Sequence, residues 1–83
     1  MNIQVRYFAS LREALGAGEP VEMAPGSTLG ALRDSLIERS PRHAEALSRG
    51  RLLRCALDQR LCGEDAVIDG AAEVAFFPPV TGG

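Results

Sequence analysis

The chain ends Phe77-Pro78-Pro79-Val80-Thr81-Gly82-Gly83, and this tail is the most reactive arrangement in the sequence. Glycine has no β-carbon, so Gly82 and Gly83 can pass through a narrow channel and leave the Gly83 carboxylate sterically unprotected. A carboxylate is a poor electrophile, because attack places further negative charge on it. Conversion to an acyl-adenylate with ATP supplies a leaving group, and a sulfur donor can then replace the adenylate. The resulting thiocarboxylate has a soft, charged sulfur that is nucleophilic at neutral pH. Pro78 and Pro79 fix φ and offer no amide to a sheet, so they end the preceding strand and stiffen the exit. Extended, residues 78–83 span roughly 20 Å, enough to enter a partner's active site while the folded part docks outside. A Gly-Gly ending is also what a frayed terminus looks like. The rigid Pro-Pro segment and the terminal carboxyl set this one apart.

Other reactive side chains form no pattern. Cys55 and Cys62 lack zinc-ligand spacing, and His43 lies elsewhere in the sequence, so no metal site is predicted. Cys55 reads as a small buried hydrophobe in a strand and Cys62 as partly exposed near a turn. Asp58, Glu64, Asp65 and Asp69 read as turn and surface residues, and His43 as a surface residue of a polar helix. There is no phosphate loop and no serine or cysteine paired with a histidine.

With 83 residues the chain makes one domain with one core. The division expected is a folded body over 1–77 and an extended tail over 78–83. All nine basic residues are arginines, scattered between Arg6 and Arg60, and the net charge is −2. That balance predicts no binding to nucleic acid or to anionic membrane. No apolar run approaches the roughly 20 residues of a membrane span, and the first residues lack a secretion signal, so a cytoplasmic protein is expected.

The elements that must position the tail follow from periodicity. Asn2 to Phe8 alternates as a strand with Ile3, Val5 and Tyr7 on one face. Ser10 and Glu13 have capping-box spacing at the start of a short helix with Leu11 and Leu15 on one side, stopped by Gly16 and Gly18. Pro20 to Met23 reads as a second strand. Ser27 or Thr28 caps the main helix, whose stripe is Leu29, Leu32, Leu36 and Ile37, with Arg33, Asp34 and Glu38 mostly on the other side. Pro41 ends that helix near Ser40, and Arg42 to Arg49 suggests a further short one. Leu52 to Leu57 reads as a third strand, Asp58-Gln59 as a turn, and Leu61 and Val67-Ile68 as short extended pieces. Glu73 to Phe77, after the Asp69-Gly70 turn, is the last strand. The predicted fold is α+β: a mixed sheet of four or five strands packed on one main helix, first and last strands adjacent, which is a ubiquitin-like β-grasp.

The segment Glu73 to Gly83 resembles the C-terminal signature of the MoaD family, the small sulfur-carrier subunits of molybdopterin synthase. Val5 to Glu13 is similar to that family's first strand and short helix, and the likeness runs the length of the chain. It implies that Gly83 is adenylated by a MoeB-type enzyme using ATP and converted to a thiocarboxylate. It further implies that the tail, Pro78 to Gly83, enters a large MoaE-type subunit in a heterotetramer and delivers sulfur to cyclic pyranopterin monophosphate. The catalytic side chains then belong to the large subunit, and the chain itself binds no cofactor. The sheet surface near Phe76 and Phe77 is the implied docking area, with at least one of the two rings in the core. The chain departs from the family at Gly70-Ala71-Ala72-Glu73 and at Asp58, where asparagine is usual.

Three other readings compete. Thiamine-pathway carriers share the fold but lack the Phe-Phe-Pro-Pro segment. A protein modifier would join its terminal glycine to lysines of targets; this chain, without lysine, cannot form lysine-linked chains on itself. A passive interaction module would leave the tail idle. An iron–sulfur β-grasp is excluded, because an all-cysteine cluster needs four cysteines.

Overall fold

Alternation fixes the first strand, β1 (Asn2–Tyr7), where Ile3, Val5 and Tyr7 are buried and Asn2, Gln4 and Arg6 are exposed. The structure is a computed structural model that describes residues 1–70 and 72–79. Helix α1 (Ser10–Leu15) follows, but Ser10 does not cap it. Ala9 is the N-cap, at φ 54°, and its carbonyl accepts from Arg12 N at 3.0 Å and Glu13 N at 3.3 Å. The amide that a Ser10 hydroxyl would have satisfied is therefore taken. Strand β2 (Gly18–Glu22) starts two residues before the predicted span, because its pairing with β1 continues to Arg6↔Gly18. Pro20 is tolerated there because β2 lies at the sheet edge.

Helix α2 (Leu29–Ile37) is capped by Thr28, whose Oγ1 accepts from Ala31 N at 3.1 Å. Leu29, Leu32 and Leu36 are fully buried. Gly30 suits a close approach: its amide donates to Glu64 O at 2.8 Å, and a β-carbon would stand 3.3 Å from that oxygen. The helix stops at Ile37, and Ser40 caps a new one, α3 (Pro41–Leu47), with Pro41 in its first turn. Arg33 is not on the solvent side as its charge suggested; it is 3% exposed. It lies at the border of the apolar stripe, four residues after Leu29 and three before Leu36. Its guanidinium donates to Leu47 O (2.9 Å), Ser48 O (2.6 Å), Arg51 O (3.1 Å) and Glu64 Oε2 (2.8 Å). Arginine thus satisfies the carbonyls of Leu47 and Ser48 at the C-terminus of α3 and that of Arg51 in the loop beyond it. Glu64, read as a plain surface residue, also accepts from Arg49. Burial would raise its pKa, but Arg49 and Arg33 hold the carboxyl below its ordinary range.

Strands β3 (Arg54–Leu57) and β4 (Arg60–Cys62) form a hairpin, and Leu52 falls outside β3, exposed. Asp58 and Gln59, at φ 48° and 69°, make the two-residue turn that matches strand twist. Asp58 Oδ1 accepts from Glu73 N at 3.0 Å and Asp58 N donates to Glu73 O at 2.8 Å, pinning the turn to β5 (Ala72–Phe77). The sheet order is β2-β1-β5-β3-β4, with β1 and β5 parallel and the other pairs antiparallel. One sheet face and the α2 leucines share a single core with Tyr7, Leu47, Ile68 and Phe76.

Candidate functional site

Strand β5 occupies the centre of the sheet, and its C-terminal end delivers the chain to Pro78. Tyr7 pairs with Phe76, Arg54 pairs with Phe77, and Phe8 N donates to Phe76 O at 3.2 Å. The exit is therefore bounded by the end of β1 and the start of β3. The strand stops at Phe77, and Pro78 and Pro79 are half-buried without regular structure. The tail residues Val80, Thr81, Gly82 and Gly83 lie outside the described residues.

The two phenylalanines before the prolines part company. Phe76 is 1% exposed and packs in the core, so its ring takes no part in an outer surface. Phe77, half-buried, shares the opposite face with its neighbour Arg54. On that face the pairing Arg6–Ala75–Ala56–Leu61 runs across four strands. Leu61 is 64% exposed and Phe8 40%. Arg6 lies over the Phe8 ring, 5.6 Å from its centre, and pairs with Glu73 at 3.5 Å. The result is an apolar saddle floored by alanines and rimmed by Arg6 and Arg54. The sequence reading missed Leu61 and Phe8 in this role. Their signal was present, since each continues the outward alternation of its strand.

Behind the exit, on the helix side, is a polar cluster that joins β1, β2, α3 and the turn before α3. Glu19 Oε2 accepts from Tyr7 Oη and from His43 Nε2, both at 2.7 Å, and Glu19 Oε1 accepts from Arg39 at 2.5 Å. His43 Nδ1 is 2.7 Å from Ser40 Oγ, which also accepts the His43 amide. His43 is therefore not the free surface residue predicted. The serine that caps α3 turns its ring toward β2. Burial would raise the Glu19 pKa, but hydrogen bonds from His43, Tyr7 and Arg39 and the His43 charge hold the carboxyl below its ordinary range. Burial and the same carboxylate push the Tyr7 phenol well above its usual value. No local sequence signal connects residues 7, 19, 39 and 43.

Among the described residues, two of the surface hollows are shallow. One, about 300 Å³, lies between α1 and α3 beside Ser10, Arg42 and Arg51; the other, about 390 Å³, lies beside Gln4, Arg6 and Glu73. Among the described residues no three metal-binding side chains converge. Among them, too, no helix is long and apolar enough to cross a membrane.

Residues 5–83 match the ThiS family. The chain belongs to that family. This ThiS-family chain is 43% identical over 81 residues to the molybdopterin synthase sulfur carrier subunit of Escherichia coli K12, covering 98% of this chain and 99% of that one. Its fold is similar to the crystal structure of SAMP1 from Haloferax volcanii, with a TM-score of 0.77 and 25% identity over the whole of both chains. It is also similar in fold, at a TM-score of 0.68 and 24% identity over the whole of both chains, to a chain in the Helicobacter pylori complex of subunits 1 and 2 of molybdopterin-converting factor. The architecture is the ubiquitin-like β-grasp predicted from the order of elements.

Proposed function

We propose that the chain is a sulfur carrier of molybdenum-cofactor biosynthesis and that Gly83 is its reactive residue. The Gly83 carboxylate attacks the α-phosphorus of ATP on a MoeB-type enzyme, releasing pyrophosphate and leaving an acyl-adenylate. A sulfur donor then displaces AMP to give the thiocarboxylate. Pro78 to Gly83 carry that sulfur into a large MoaE-type subunit, where it passes to cyclic pyranopterin monophosphate. The full assembly is a cytoplasmic heterotetramer, and the carrier adds no catalytic side chain of its own. The face formed by Phe8, Leu61 and Phe77 docks on the partners, with Arg6 and Arg54 orienting it.

The observation that carries this reading is the 43% identity across nearly the whole of both chains to a molybdopterin synthase sulfur carrier subunit. The alanine-floored saddle beside the exit supports it, since a carrier must bind through its body while its tail stays free. Intact mass of protein taken from cells tests the chemistry: one oxygen-for-sulfur exchange, localised to Gly83, is expected. Deleting Gly83 should abolish sulfur transfer and leave thermal unfolding unchanged. Molybdopterin formation by the deletion variant would rule the reading out. The likeness to SAMP1 favours conjugation to target lysines as a second reading, and branched conjugates on denaturing gels would be its sign.

A further inference from the structure

Cys55 and Cys62 are each the third residue outward from the Asp58-Gln59 turn, and the hairpin register sets them directly opposite one another. Opposed residues of an antiparallel pair have Cα atoms about 4.5–5.5 Å apart. That separation falls within the roughly 4.4–6.8 Å that disulfides span. Paired residues also share a sheet face, so both side chains leave the hairpin on the same side. The Cys55 thiol reaches across the strands and donates to Cys62 O at 3.4 Å. Burial first, and then the neighbouring Cys62 thiol, raise its pKa to about 11.

The two thiols differ in access. Cys55 is 4% exposed and belongs to the core, while Cys62 is half-buried near the end of an edge strand. Cys62 is thus the more accessible of the two, and Cys55 is the more deeply buried. Ala56 and Leu61, the pair between the cysteines and the turn-closing residues, point to the opposite face.

We propose that Cys55 and Cys62 form a reversible dithiol/disulfide pair that staples β3 to β4, with Cys62 as the entry thiol. The oxidant is a low-molecular-weight disulfide such as oxidised glutathione. The Cys62 thiolate attacks one glutathione sulfur, forming a mixed disulfide and releasing one glutathione thiolate. Cys55 then gives up its proton and attacks the Cys62 sulfur, expelling the second glutathione. Two thiols are oxidised, one disulfide is reduced to two thiols, and two protons leave the protein. The bond forms on the core side of the hairpin, so the outer face with Leu61 keeps its shape. This inference does not depend on the tail chemistry.

The test treats the folded full-length chain with oxidised glutathione and reads intact mass under denaturing conditions. The wild type should lose two hydrogens, with a peptide map joining Cys55 to Cys62, and dithiothreitol should restore the starting mass. Closing this short loop should raise Tm by at least about 5 °C. Cys55→Ser should stop at one glutathione adduct on Cys62, and Cys62→Ser should stay unmodified while folded. The proposal is overturned if the wild type remains unmodified, keeps a glutathione adduct, or links only to a second copy.

Discussion

On the helix side of the sheet, Ile3, Val5, Val74 and Phe76 are buried against Leu29, Leu32 and Leu36. On the other side, Ala56 and Ala75 leave a low floor between Leu61, Phe77, Arg6 and Arg54. The same strands build both. Large side chains placed inward close the core, and small ones at the middle of the outward face keep it low. Burial is concentrated on the inward face, so changes on the outward one should cost the fold less.

The strongest way to break this contrast is to exchange the consequences of the two adjacent phenylalanines. Phe76→Ala should cost about 4 kcal/mol in urea unfolding, a large share of what a domain of this size has. Phe77→Ala should cost about 1 kcal/mol; equal losses would show that both faces hold the fold. Arg33→Ala should cost about 3 kcal/mol by the same measurement, because the buried carbonyl of Leu47 and the partly buried ones of Ser48 and Arg51 lose their donor. Leu61→Asp should do the reverse. Calorimetric titration against the proposed large-subunit partner should show affinity at least about tenfold weaker, with the free energy of urea unfolding changed by less than about 0.5 kcal/mol.

The smallest effect sharpens the contrast through pH. Glu19→Gln should cost about 1 kcal/mol near neutrality. The folded pKa of Glu19 lies below its unfolded value of about 4.3, so its contribution is complete above that value. It disappears as pH falls through the lower folded pKa. The gap between wild type and variant, followed by thermal unfolding, should therefore close in acid. Glu64 is shifted in the same direction and persists in the variant, which should keep part of the acid slope.

Periodicity made much of this fold legible. The alternation from Asn2 to Tyr7 and the stripe Leu29, Leu32, Leu36 each report a buried face, and the Pro78-Pro79 pair marks where β5 must stop. What escaped depends on contacts between distant residues. Ser10 has the type and spacing of a cap, yet the carbonyl of Ala9 reaches the amide first. Arg33 is polar by composition and buried by geometry, because the end of α3 supplies its acceptors. His43 gains a carboxylate partner from a strand 24 positions away. Cys55 and Cys62 fit no motif spacing, but a two-residue turn makes them neighbours. The saddle fell between these cases, since its residues alternate correctly but only the strand order brings them together.

The parallel pairing of β1 with β5 has a practical consequence for anyone attaching a probe. Met1 begins the strand whose far end borders the exit, and its ammonium is held by Glu22 at 2.8 Å. The sequence has no lysine, so no side-chain amine competes with that ammonium for an acylating dye. A single fluorophore would therefore sit one strand length from the exit, roughly 17 Å. That is a convenient separation for watching a partner arrive at the exit without touching it.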